Sequence, residues 1–119
     1  MEIRVKRAYE PASDADGYRV LVERLWPRGV TRERARLDEW AREISPSPEL
    51  RKWYAHDPAL FEEFRRRYLD ELAAHEQKLE ELRERAEKGR LTLVYAAKDE
   101  ERNSAVILAE VLRSRASSS

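Results

Sequence analysis

Cysteine is absent from the 119 residues. Disulfides, thiolate nucleophiles and cysteine-based metal sites are thereby excluded. Glycine is almost as scarce, at three residues, so a glycine-rich phosphate cradle is hard to build. The chain carries no Walker loop, no dinucleotide-binding glycine turn and no Gly-x-Ser-x-Gly elbow, and no cofactor is expected. Net charge is missing too: Lys+Arg and Asp+Glu each number 24. No global field draws the chain to nucleic acid or to a membrane, so a nucleic-acid partner is disfavoured and any anion site must come from local clustering. No apolar run approaches the ~20 residues of a membrane span, and the start, MEIRVKRAYE, has no apolar signal core. A soluble, cytoplasmic protein without membrane contact is the expectation.

What is present is charge of both signs, 40% of the chain against about 25% in an average protein. Nineteen of the 24 cations are arginine, the side chain that grips phosphate or carboxylate with a bidentate fork. Hydrophobic residues make up 41%, enough for one core, so residues 1–115 are read as a single α/β domain and 116–119 as a disordered tail.

Ile3 and Val5 alternate with charges as in a half-exposed strand. PASDADG, Pro11 to Gly17, is turn chemistry. The segment from Tyr18 to Leu25 reads as a strand covered on both faces. Thr31 can cap a short helix, and Leu37, Trp40, Ala41 and Ile44 recur at helical intervals. Ser47 before Pro48 and Asp57 before Pro58 are capping signatures. Phe61, Phe64, Tyr68 and Leu72, then Leu79, Leu82 and Ala86, form an apolar stripe. The stripe lapses at AAHEQ, which predicts a break near His75, although one long helix also fits. Gly89 suits a helix C-terminus. Leu91 to Tyr95 is the best strand, and Ala105 to Leu112 forms a last helix. The order is β, β, several helices, β, α: a layered fold with a small sheet of three strands.

Four stretches together carry a resemblance: RVLVERLWPRG (Arg19 to Gly29), ELRKWYAHDP (Glu49 to Pro58), FRRRYLDEL (Phe64 to Leu72) and LTLVYAAKDEERNSAVIL (Leu91 to Leu108). In this order and spacing the chain resembles the YeaO-like family, a branch of domain of unknown function 488, from about Glu2 to Arg113. The resemblance implies a compact α/β domain with a small, mainly parallel sheet, and little about function. Similar family members carry His where this chain has Arg102, and more distant ones place Cys at the last strand–helix junction. Neither role transfers here.

In open α/β sheets, ligands bind outside the carboxyl ends of the strands. With parallel strands, Arg7, Arg24, Arg28 and Lys98 gather near the N-terminus of the last helix, where free N–H groups favour anions. Trp26 would supply a wall, and Asn103 a cap or a contact. An antiparallel first strand would instead carry Arg7 to the far edge. On the other reading, Trp26 simply buries its ring, and Arg24 pairs with Glu23, Asp38 or Glu39. His56 and Asp99 are the candidate proton carriers, although His56 also fits packing on Trp53. The two histidines, His56 and His75, lie too far apart for a metal signature. The function expected is binding of a small phosphate- or carboxylate-bearing ligand. The alternative is a non-catalytic interaction module using the Trp-Pro-Arg-Gly loop, with a protein partner or a second copy of the chain.

Overall fold

The computed structural model describes the backbone of residues 1–118 and the side chains of residues 1–114. The tail expected at 116–119 falls outside the described side chains. Among the described residues, four parallel strands build one sheet in the order β1-β4-β2-β3. They are β1 (Glu2–Arg7), β2 (Tyr18–Leu21), β3 (Glu39–Trp40) and β4 (Arg90–Tyr95). The helices are α1 (Arg32–Ala35), α2 (Pro48–Tyr54), α3 (Phe61–Leu72), α4 (Glu76–Lys88) and α5 (Ser104–Ser118). β4 is the axis of the sheet: its Leu93 stands between Val5 of β1 and Val20 of β2.

The expected sheet of three strands is corrected by β3. Leu37, Trp40, Ala41 and Ile44 do not share a helix. Trp40 pairs with Leu21, and Ala41 N–H donates to Leu21 O at 2.9 Å. Extending this segment satisfies the free edge of β2 and seats the Trp40 ring beside the sheet, which overrides a helical spacing of only a few residues. The strand expected over Tyr18 to Leu25 ends at Leu21, and Leu25 is exposed rather than covered; the capping signals hold. Thr31, Ser47 and Asp57 each accept a backbone N–H as caps. A 3₁₀ turn over Ala73–His75 separates α3 from α4. Gly89 follows α4 but is extended rather than left-handed.

Alternation along the strands feeds two faces. Ile3, Val20, Val22, Leu91, Leu93 and Tyr95 face the main core, joined there by Phe64, Tyr68 and Leu72 of α3, Leu79 and Leu82 of α4, and Ile107 and Leu108 of α5. The opposite face holds Ala8, Leu21 and Val94 under Trp26, Leu37 and Trp40.

Beside that smaller cluster lies a buried charge group. The Asp16 carboxylate accepts Arg19 Nη1 at 2.6 Å, Lys6 Nζ at 3.1 Å and Ser13 N–H at 3.0 Å. Arg19 also donates through Nε to Ala35 O, and Asp38 accepts Arg19 N–H. Burial pushes the Asp16 carboxyl upward, but the Ser13 N–H and the two cations outweigh it and hold the group below its usual range. The turn after Asp16 requires Gly17, which sits at φ +67°; a Cβ there would lie 2.3 Å from Arg90 O.

Asp16→Asn leaves Arg19 buried beside a neutral amide and is expected to cost ~3–5 kcal/mol in urea unfolding at neutral pH. Because the folded Asp16 is the stronger acid, its contribution is complete above the unfolded carboxyl range and disappears as pH falls through the lowered one. A loss below ~1 kcal/mol would show that the group does not hold this face together.

Candidate functional site

The all-parallel sheet sends every strand end to one edge, and a cleft of about 570 Å³ opens there between the ends of β2 and β4, α2 and the start of α5. Its volume suits a small organic molecule. The inner wall is apolar: Tyr54 stacks on Phe64 at 4.2 Å, and Tyr95 and Ala96 continue it. Leu25, 64% exposed, stands at the rim.

α3 positions one side. Tyr68 and Glu71, three residues apart on one helix face, reach the segment leading into α2. The buried Tyr68 hydroxyl donates to Ile44 O at 2.7 Å, and burial raises its pKa far above the phenolic range. The Glu71 carboxylate accepts Ser47 N–H at 2.9 Å and Ser47 Oγ at 2.6 Å, while Ser47 caps α2 by accepting Leu50 N–H. This fixes the carbonyls of Ser45 and Pro46, towards which Arg24 extends, Nε lying 3.3 Å from Pro46 O. Arg24 is therefore oriented by neutral acceptors, with no carboxylate against it.

Arg51 and Lys52 of α2 line the same cleft. Among the described residues neither has an ion-pair partner, whereas Arg66, Arg67 and Arg83 pair with glutamates on their own helices and Lys78 pairs with Glu39 of β3. Arg102 also lines the cleft and pairs loosely with Asp99 at 3.5 Å. At the end of α2, Ala55 and His56 adopt left-handed conformations in succession, at φ 47° and 58°. Such a backbone is costly for a residue with a Cβ, and it aims His56 along the cleft wall.

Glu23, two residues after β2, brings a carboxylate into this cationic surround. Its Oε2 accepts Ala96 N–H at 2.9 Å. Among the described residues, Oε1 has no donor and is not sealed from solvent. Burial raises the Glu23 pKa, and the Ala96 N–H and the charges of Arg51 and His56 offset only part of the rise.

The other expected residues divide. Asn103 lines the cleft and caps α5, its Oδ1 accepting Val106 N–H at 2.9 Å. Arg7 shares the edge, but its Nε donates to Ala97 O and its guanidinium lies over Tyr9, outside the cleft. Lys98 is exposed and does not line it. Asp99 accepts the N–H groups of Glu101 and Arg102, which hold its carboxyl below the usual range and make it a turn-forming residue. Trp26 belongs to the smaller cluster: Nε1 donates to Val30 O at 2.6 Å and the ring meets Trp40 edge-on at 5.4 Å. Arg28 stands on the tip of the Pro27–Val30 turn, closed by Val30 N–H to Pro27 O with Gly29 at φ +79°, and it is exposed, away from the cleft. Glu23, Arg51, Lys52 and Tyr54 were missed. Glu23 was legible one residue earlier by the same carboxyl-edge rule that points to Arg24; the α2 residues had no such signal.

The profile of DUF488-N3i, described as the inactive DUF488-N3 subclade, matches residues 2–119. The chain is 50% identical over 114 residues to the uncharacterized protein YeaO of Escherichia coli K12, covering 96% of this chain and 99% of that one. Uncharacterized proteins of Mycobacterium bovis and Mycobacterium tuberculosis are each 41% identical over 114 residues, covering 95% of both chains. No solved structure matches significantly. Among the described residues, no helix is long and apolar enough to cross a membrane, and no group of acidic residues and histidines is arranged to hold a metal.

Replacing the desolvated carboxyl by its isosteric amide, Glu23→Gln, keeps an acceptor for Ala96 N–H. The folded Glu23 is the weaker acid, so its penalty is absent below the unfolded carboxyl range, grows through the interval up to the raised pKa, and is full above it. The variant is expected to be more stable than the wild type in denaturant melts at pH 7, with the gain vanishing near about pH 4. A variant less stable at both pH values would contradict this reading.

Proposed function

The chain belongs to the YeaO-like proteins of the inactive DUF488-N3 subclade, and from that premise we propose that its strand-edge cleft binds a small phosphate- or carboxylate-bearing molecule without turning it over. The observation that carries the reading is the set of three cations, Arg24, Arg51 and Lys52, that line one cleft and, among the described residues, make no ion pair. On a chain with equal numbers of both signs, setting these three against the one carboxylate of Glu23 in the cleft lining favours an incoming anion. The N-terminus of α5, at Asn103 and Ser104, adds the positive end of a helix dipole. The subclade's description as inactive supports binding over catalysis, as does the position of Asp99 outside the cleft, away from His56.

The competing reading is a protein-interaction surface on the Trp-Pro-Arg-Gly loop. Trp26 is half-buried and bonded within its own turn, which leaves Arg28 as the loop's exposed anchor. The cleft is the better supported of the two, because its cations line one concavity.

Thermal melts in millimolar pyrophosphate, citrate and 3-phenylpropionate test the proposal. At least one of these acids is expected to raise the melting temperature by several degrees, as a ligand at about 100 times its Kd does. Arg51→Ala, on an exposed helix position, is expected to abolish the shift while leaving the unliganded melt within about 2 °C. Arg28→Ala is expected to leave the shift intact. A shift lost in Arg28→Ala and kept in Arg51→Ala moves the site to the loop, and no shift with any acid removes the proposal.

A further inference from the structure

The cleft is not built for an anion alone. A bare phosphate would leave the exposed Leu25 and Pro48 and the half-buried Ala96 and Ala97 uncovered, in front of a core wall of Tyr54, Phe64 and Tyr95. It would also share the cleft with the Glu23 carboxylate, whose Oε2 is fixed by Ala96 N–H and whose Oε1 has no donor among the described residues. With Oε2 held by the backbone, the open Oε1 is placed to accept an N–H from a ligand in the cleft. The cations at the opening call for an acid group, and the apolar wall calls for an apolar body between the two.

Building on the anion-binding reading, we propose that the ligand is amphoteric: a small organic acid with an apolar or aromatic body and a nitrogen donor, the donor meeting Glu23 Oε1 and the acid group meeting Arg24, Arg51 and Lys52. The two charges of such a molecule pair separately with the two signs that the cleft presents, so neither is left unpaired. Glu23 is then the specificity residue. It attracts the nitrogen and repels an acid that lacks one, because an acid alone brings a second negative charge near the carboxylate. The Ala96 N–H holds Oε2 and so orients Oε1 before the ligand arrives, which lowers the ordering cost of binding.

Calorimetric titration at pH 7 with L-phenylalanine, 3-phenylpropionate, phenethylamine and inorganic phosphate separates the contributions. The wild type is expected to bind phenylalanine about tenfold or more tightly than any of the other three, the discrimination of a site built around a ligand's hydrogen-bonding group. Glu23→Gln is expected to remove that preference for phenylalanine over 3-phenylpropionate, and Arg51→Ala to weaken both acids. Glu23→Asp, which keeps the charge but withdraws it, guards against a folding defect: it is expected to restore part of the preference. Equal or weaker binding of phenylalanine than of 3-phenylpropionate by the wild type overturns the proposal, as does an equal loss of both in Glu23→Gln. If the amphoteric preference fails while 3-phenylpropionate or phosphate still binds in an Arg51-dependent way, the anion-binding reading stands and this one falls. If none of the four probes binds, both fall.

Discussion

A sheet whose strands all run one way must deliver all its strand ends to one edge, and that constraint organises this molecule. β4 pairs with β1 on one side and β2 on the other, both parallel. The residues that follow β2 and those that follow β4 therefore emerge side by side. Glu23 meets Ala96 across that junction, although 72 residues of chain separate them. Everything that gives the cleft its character is hung from this meeting point: Arg24 comes from the β2 side, Asn103 and Ser104 from the helix that β4 leads into, and α2 closes the third wall.

The third wall shows how packing becomes chemistry. The α3 stripe places Phe64 and Tyr68 in the core, but the same helix face extends polar groups to the segment before α2. Tyr68 and Glu71 anchor that segment through Ile44 O and Ser47. The result orients Arg24 with backbone carbonyls and, among the described residues, leaves Arg51 and Lys52 without an ion pair. A balanced chain thus keeps a local excess of positive charge, with a single desolvated carboxylate set inside it. The opposite face of the sheet carries its own buried charges at Asp16 and Arg19, but these are matched among themselves and serve to cover the sheet.

How much of this the sequence shows depends on the range of the interaction. Caps are local, and Thr31, Ser47 and Asp57 act as their neighbours imply. The break at His75 was visible as a lapse in an otherwise regular stripe. β3 was not visible, because two residues of strand leave no periodicity, and Trp40 owes its place to Leu21, nineteen positions earlier. Trp26 was open to two readings, and the one in which its ring packs beside the sheet is the one observed. Its flanking Pro27, Arg28 and Gly29 mark a turn, which the structure contains, but the ring is held by Trp40 and Val30 O. The carboxyl-edge rule found Arg24 and Asn103. It overshot to Lys98 and Asp99, which the turn before α5 uses or leaves exposed, and it stopped one residue short of Glu23.

The binding surface proposed for the molecule is the cleft where β2 and β4 end. A two-dimensional nitrogen–proton spectrum recorded while 3-phenylpropionate is titrated in tests this residue by residue. The amides of Arg24, Ala96, Ala97 and Ser104 are expected to move together and saturate along one curve, while those of Arg28 to Val30 stay in place. Shifts confined to the Arg28–Val30 turn, or spread without saturation over the arginine-rich surface, would contradict it.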